Sequence, residues 1–434
     1  MAISPLYAAL LLVGLIPLVM FGDAPGSAFG TLGAVVGCWL LLGLIDLSLA
    51  APARKVRIDR ELPGRVRFGE PVESRVLVTN LGRGMHAQLR DLWEPSAGAG
   101  RMRERVTIPS GERRAITHML HPWRRGDRTT AGVVIRSWGP MQLLARQATI
   151  SAPGRVRVLP PFESRRHLPS RVMRLRELDG ATTLQVRGQG TEFDSLRDYV
   201  RGDDVRSIDW RATARKQDLV VRTWRPERDR QVIIVIDTGR TAATRVGDET
   251  RLDTAIEASL LLAALANQAG DRVSLIAYDR RVRARVHSAS GATLLSKMVE
   301  SMATVEPELI ETAWEDIPRL VRGATTQRAL VVLLTTAEHA AASRPLFEML
   351  PDITRKHLVV VASASDPSVS ELVTALGDRE QVLRAAAAER ANLDARRVAM
   401  AITQSGAVPI SAPPLDLPPR LADKYLELKK AGRL

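Results

Sequence analysis

One cysteine, Cys38, is all that the 434 residues contain, and it lies inside an apolar run. A disulfide within the chain is excluded, and so is a thiolate-built metal site. Aromatic residues make up 4% of the chain against 45% hydrophobic overall, so its cores must be aliphatic. Neither G-x-G-x-x-G nor G-x-x-x-x-G-K-[ST] occurs, which removes the glycine-built cradles for a dinucleotide and for a P-loop phosphate. G-x-S-x-G and H-E-x-x-H are missing too, so neither a nucleophile elbow nor a two-histidine zinc helix is indicated. Acid is the minority charge: 48 Asp and Glu stand against 62 Lys and Arg, for a net charge of +14. Such a balance suits anionic lipid, an acidic protein partner or nucleic acid, or a solvated arginine-rich surface. Specific nucleic-acid recognition has charge alone behind it, without aromatic interleaving or a recognisable reading module.

What is present begins with two apolar runs. Residues 6–21 read LYAALLLVGLIPLVMF and residues 28–50 read AFGTLGAVVGCWLLLGLIDLSLA. Each is near the ~20 apolar residues of a spanning helix, and a short polar turn containing Asp23 separates them. A two-helix transmembrane hairpin is the reading. Arg54, Lys55, Arg57, Arg60, Arg65 and Arg67 follow the second run, which places both termini and everything after residue 51 in the cytoplasm, with the basic flank against anionic headgroups. Asp46 and Cys38 receive no role. Residues 54–160 then alternate like strands between Pro-Gly, Gly-Glu and Asn-Leu-Gly turns, the pattern of an antiparallel β-sandwich of immunoglobulin-like kind.

Residues 161–229 read as a linker and a charged motif, 230–415 as an α/β domain and 416–434 as a C-terminal helix, with 1–53 as the anchor. The central stretch, Gly190–Thr241, interleaves acids and arginines and then enters QVIIVID, a run suited to a strand buried on both faces. Arginine forks bind carboxylates in a bidentate way and lower their pKa. These acids therefore read as structure or partner recognition rather than as proton donors. Later apolar runs, DRVSLIAYD, ALVVLLTT and HLVVVAS, alternate with helical stretches and imply a doubly wound sheet.

The run GTEFDSLRDYVRGDDVRSIDWRATAR, followed by a strand ending in aspartate, resembles the signature of the bacterial family called domain of unknown function 58. Glu192, Phe193, Leu196, Arg197, Tyr199, Gly202, Asp203, Asp204, Arg206, Ile208, Asp209 and Trp210 fall where that family's motif has them. The upstream RRGDRTTAGVVIRSWGPMQLL is similar to the family's pre-motif region, so that with the hairpin the resemblance spans nearly the whole chain. It implies a von Willebrand factor A-like domain on an anchor in the bacterial inner membrane, and a MoxR-type AAA+ ATPase, or its client, as partner in protein assembly or maturation. The von Willebrand A fold often carries a metal-ion-dependent adhesion site opening with D-x-S-x-S. Here that element is Asp237, Gly239 and Thr241, and the loop Thr335-Thr336-Ala337-Glu338 lacks the family fold's aspartate. Thr312 is a candidate for its loop threonine. The expectation is a non-enzymatic scaffold or adaptor with no cofactor. The alternative is a metal-dependent hydrolase or nuclease holding Mg²⁺ at a degenerate site on Asp237 and Thr241.

Overall fold

The computed structural model describes the chain except residues 22–24, 101–102, 186–191, 226–229, 338–342 and 375–376. It divides into two compact units, Met1–Leu159 and Pro160–Leu434.

The first unit opens with β1 (Ala2–Ile3), α1 (Pro5–Val13), α2 (Leu15–Phe21) and α3 (Pro25–Leu49). The first apolar run is thus broken at Gly14 into two short helices. Among the described residues, Ala28–Leu49 is the one helix long and apolar enough to cross a membrane. Small residues bring α1 against α3: a Cβ on Gly43 would lie 2.2 Å from the Tyr7 hydroxyl, and one on Gly14 would lie 2.5 Å from Val35. The rings of Tyr7 and Trp39 stack with centroids 4.1 Å apart. Each also donates to the other's backbone carbonyl, at 2.8 Å in both directions.

The rest of this unit is β2 (Val56–Glu61), β3 (Arg65–Arg67), β4 (Val72–Asn80), β5 (Met85–Trp93), β6 (Arg103–Ile108), β7 (Arg113–Leu120), β8 (Gly126–Trp138) and β9 (Leu144–Leu159). One sheet runs β1-β9-β8-β5-β6, with β3 parallel to the far end of β9, and the other runs β2-β4-β7. Alternating apolar residues of both sheets, among them Val76 and Val78 of β4 and Leu89 and Ile135 of β5 and β8, share one core. Arg60, assigned above to the lipid-facing flank, is instead buried. Its guanidinium grips Asp91 in a bidentate pair with both bonds at 2.7 Å, so β2 of one sheet is tied to β5 of the other.

Asp46, near the end of α3, is fully buried and has a structural role that its sequence context did not reveal. Its carboxylate accepts the backbone N–H of Met141 at 2.8 Å, Leu143 at 2.8 Å and Leu144 at 3.0 Å. Glycine at 139 makes the approach possible, since a Cβ there would stand 2.2 Å from the Asp46 Oδ1. The same β8–β9 turn holds the other end of the apolar segment. Ala2 and Ile3 pair with Ala145 and Leu144, and the Ser4 amide donates to Leu143 at 3.0 Å.

The second unit contains α4 (Leu168–Gln185), β10 (Glu192–Asp198), α5 (Trp210–Lys216), β11 (Val220–Arg225), β12 (Gln231–Asp237), β13 (Arg245–Val246), β14 (Glu249–Thr250), α6 (Arg251–Gln268), β15 (Arg272–Tyr278) and β16 (Val282–Ala289). It continues with α7 (Leu294–Ala303), α8 (Ile317–Ala324), β17 (Ala329–Leu334), α9 (Arg344–Thr354), β18 (Leu358–Ala364), α10 (Pro367–Thr374), α11 (Arg379–Gln404), β19 (Val408–Ala412) and α12 (Leu417–Lys430). The main sheet runs β16-β15-β12-β17-β18-β19, parallel except for β16 at its edge. The continuous apolar run of β12 feeds both faces. Val232, Ile234 and Ile236 point to a core shared with α6, α7 and α12, and Ile233 and Val235 to one shared with α8, α9 and α11.

Two boundaries differ from the sequence reading. Residues 168–178 are not linker: Leu175 is buried in the first of these cores, with Leu168, Val172 and Leu178 packed against it. The C-terminal helix α12 is not a separate element either, because Leu417, Leu421, Ala422 and Tyr425 lie in the same core. The Tyr425 hydroxyl donates to buried Asp271 at 2.5 Å, and Lys429 reaches the same carboxylate at 3.2 Å.

Candidate functional site

Strand order in the main sheet reverses at β12, and crevices at the carboxyl ends of strands form at such a switch point. Asp237 ends β12 there, and Thr335 follows the neighbouring β17. The Asp237 carboxylate accepts four hydrogen bonds: from the hydroxyls of Thr312 at 2.5 Å, Thr335 at 2.7 Å and Thr241 at 3.1 Å, and from the Gly239 amide at 2.8 Å. It is 5% exposed. The segment carrying Thr312 is held in place by two backbone bonds, Arg240 N–H to the Ile310 carbonyl and Glu308 N–H to the Thr238 carbonyl, both 2.8 Å. The structure thus brings Asp237 and Thr241 together as the motif suggests, and places Thr312 firmly. It adds Thr335, which stands where the sequence reading missed an aspartate. Glu338 lies outside the described residues.

The rim is charged but paired. Arg240 meets Glu311 at 2.6 Å. Asp279, fully buried, takes Arg283 at 2.6 Å, the amides of Arg280 and Arg281, and the Thr238 hydroxyl at 3.1 Å. Burial would raise the Asp279 pKa, but the Arg283 bond and those amides outweigh it and hold the carboxyl below its ordinary value. Burial, helped by the hydrogen bond to Asp316, pushes the Tyr278 phenol up to about 12, so it keeps its proton near neutral pH.

As a cation site this set is short of charge. Mg²⁺ takes near-octahedral oxygen ligands that include one or two carboxylates. Here there is a single carboxylate, and it already accepts four hydrogen bonds that an ion would have to displace. The donors present therefore do not match a resident Mg²⁺. Among the described residues, no three His, Cys, Asp or Glu side chains gather as a metal-ligand set.

The charged motif forms a separate small hairpin. Glu192 and Phe193 begin β10 opposite Arg225 and Trp224 of β11. Arg197 clasps Asp203 with bonds of 2.7 and 2.6 Å, and this pair raises the Arg197 pKa. Asp203 also accepts the Val200 amide at 2.9 Å, closing a turn in which Gly202 takes φ +110°. Tyr199, half-buried, donates its amide to Leu219. Asp204 accepts the Arg206 amide at 3.0 Å. Asp209 caps α5 through the amides of Arg211 and Ala212 and takes Arg222 at 2.8 Å. The Ala212 amide, followed by Arg222, keeps its pKa below the ordinary value. Lys216 bonds Asp198. These pairs lie inside the motif, so they knit the hairpin itself rather than stapling it to the sheet behind. Ile208, Val220 and Val221 form its small buried centre. Trp210, by contrast, is 66% exposed, and Arg206 is exposed as well. Gly190–Thr241 is therefore two devices in sequence: a self-contained hairpin, then the strand that opens the crevice.

Residues 195–400 match the family described as a protein of unknown function, DUF58. The match starts beyond the apolar helices and the first unit, and is narrower than the near-complete coverage expected from the sequence. Uncharacterized proteins of Mycobacterium bovis and of two Mycobacterium tuberculosis strains are 27% identical over 120 residues, which span 28% of this chain and 38% of theirs. Among solved structures, the chain is similar to the VWA domain of SpRpn10, with 10% identity, a TM-score of 0.28, and coverage of 45% of this chain and 94% of that one. It is also similar to the CARDB domain of the PF1109 protein from Pyrococcus furiosus, with 18% identity, a TM-score of 0.19, and coverage of 24% and 86%.

Proposed function

We propose that this chain is a membrane-anchored, non-enzymatic scaffold or adaptor that works with a MoxR-type AAA+ ATPase in protein assembly or maturation. The observation that carries the reading is the self-satisfied crevice: Asp237 is saturated by three threonine hydroxyls and an amide, and the charged side chains Arg240, Glu311, Asp279 and Arg283 around it are paired. Such a surface can be recognised by a protein but offers, among the described residues, no free base, nucleophile or proton donor. A von Willebrand A-like identity for the second unit is supported by its strand order with one antiparallel edge, and a metal-free state by the donor set around Asp237. A helical hairpin anchor with both ends on the cytoplasmic side is supported by β1 and Asp46, which bring the two ends of the apolar segment to one turn of the β sheet. The two-sheet core of the first unit favours an immunoglobulin-like spacer or interaction module. The alternative, a metal-dependent hydrolase or nuclease, is weakened because Asp198, Asp203, Asp204 and Asp209 are tied to arginine, lysine or backbone amides.

Affinity purification of the full chain from native membranes tests this. An AAA+ ATPase should be retained, and the purified chain should turn over neither ester nor nucleic-acid substrates in Mg²⁺. Turnover by the purified chain, or failure of the unaltered chain to retain any ATPase, would overturn it.

A further inference from the structure

The hairpin of residues 192–225 separates its charges by task. Between residues 196 and 222 it carries five acids and seven basic side chains. Asp198, Asp203 and Asp209 are each engaged by a basic partner within the hairpin, and Asp204 by a backbone amide. Those contacts use Arg197, Lys216 and Arg222. The side chains of Arg201, Arg206, Arg211 and Arg215 are left exposed, with no hydrogen-bond or ion-pair partner among the described residues. Arg211 and Arg215 sit four apart on α5 and so share a helix face. Beside them, Trp210 is exposed, whereas Trp93 and Trp314 are buried. Val200 and Val205, at 62% and 63% exposure, flank the Gly202 turn.

From this we infer that the hairpin is a docking arm whose arginines and Trp210 take an acidic protein surface with an apolar pocket at its centre. This deepens the adaptor reading and rests on it. Buried tryptophan and arginine anchors carry much of the energy of protein interfaces, and arginine binds carboxylate with two parallel bonds. Nucleic acid and an anionic bilayer fit the arm less well. Asp198, Asp204 and Asp218 remain exposed on it and would repel a polyanion, whereas a folded partner can place a cation opposite them. The exposed valines likewise suit a protein pocket better than a phosphate backbone. Asp203 and Asp209 are then internal braces, and reversing Asp203 would unmake the arm rather than probe its contact.

The test is photo-crosslinking in native membranes from a benzoylphenylalanine placed at position 210 of the full chain, with the crosslinked peptide identified by mass spectrometry. The expected product is a protein peptide rich in Asp and Glu. The combined substitutions R206E, R211E and R215E should lower its yield about tenfold or more, while circular dichroism and protease resistance stay unchanged. Lysines at the partner's mapped acids should restore the yield. A second variant, Asp209→Asn, should lose the product together with protection of the α5 amides, which separates collapse of the arm from loss of its charge. Crosslinking to nucleic acid or lipid, to a neutral or basic peptide, or undiminished by the arginine reversal would overturn the inference, as would no protein product at all. If the ATPase still co-purifies with the reversed arm, the adaptor reading stands and the arm is not its docking site. If the unaltered chain retains no ATPase, it is the adaptor reading that fails.

Discussion

Asp46 and Asp237 are both buried carboxylates without a basic partner among the described residues, and they are stabilised by opposite means. Asp46 accepts three backbone amides from a single turn, whereas Asp237 accepts three side-chain hydroxyls and one amide drawn from several loops. Backbone donors are fixed by the turn's geometry and survive every substitution except proline. Side-chain donors can be exchanged one at a time. The first arrangement makes a rigid joint between an apolar helix and a sheet. The second makes a surface whose charge and ligand capacity a few substitutions can change. In both, the negative charge is balanced by oriented dipoles, which satisfies a buried carboxylate without bringing in a second ion to desolvate.

The largest break in the comparison is Asp46→Ala. It strands three amides, two of them buried, that had charge-assisted bonds, each worth roughly 1.5–3 kcal/mol, so a loss of about 4 kcal/mol is expected. Hydrogen exchange should show Met141, Leu143 and Leu144 losing protection together. Asp46→Asn is the finer probe. Its one remaining oxygen serves Leu143 and Leu144 best, because those two share Oδ2, so the Met141 amide should be exposed selectively. Uniform protection in both variants would show that the carboxylate is not the joint.

Asp279 lies one strand away from Asp237 but is held by a cation, which makes it the control for dipole-held charge. Arg283→Met leaves a fully buried carboxylate without its counter-charge, at a cost of about 3 kcal/mol near neutral pH. The sign with pH is fixed. The folded-state pKa of Asp279 is depressed, so its contribution is present above the ordinary carboxylate value of about 4 and is lost as pH falls through the folded value. The gap between wild type and variant should therefore be widest at neutral pH and close on acidification. A gap that is the same at pH 7 and pH 3 would remove Arg283 from the account.

A third substitution sharpens what distinguishes the crevice from the joint. Thr335→Asp turns a hydroxyl donor 2.7 Å from Asp237 into a second carboxylate. Without a divalent ion the two charges repel, and a loss of about 2 kcal/mol is expected. Millimolar Mg²⁺ should recover the stability of the variant and leave wild type unmoved, as read by thermal melting. If wild type gains as much as the variant, one carboxylate is enough to hold the ion and the metal-free reading fails.

The same contrast explains what was legible in the sequence. The sheet's strands announced themselves as unbroken apolar runs, and Asp237 stood out because it ended one. Asp46 was just as visible in an apolar helix, yet its donors are amides of Met141, Leu143 and Leu144, whose side chains say nothing about it. Thr335 was read as a missing aspartate because a motif records ligand identity and not who donates to whom. In α4 the apolar positions Leu168, Val172, Leu175 and Leu178 follow helical spacing, but the arginines between them made the segment look like linker. The hairpin's ion pairs were foreseeable in kind, since acids and arginines alternate. Which arginine closes on which acid depended on the Gly202 turn and the β10–β11 register, and neither is encoded in composition.

The smallest effect discriminates most finely within the crevice. Thr241 and Thr335 donate to the same Asp237 oxygen, at 3.1 and 2.7 Å. Valine at either position keeps the shape and removes one hydroxyl donor to the carboxylate. A hydrogen bond to a charged group is worth about 1.5–3 kcal/mol, with the longer one near the lower end. Thr241→Val should therefore cost less than Thr335→Val, and the double variant more than the sum, since it strips that oxygen of its protein donors. Strict additivity would mean that water enters to replace each hydroxyl in turn. Asp237 would then be solvent-linked, and the crevice would be an open site for an incoming donor rather than a closed surface.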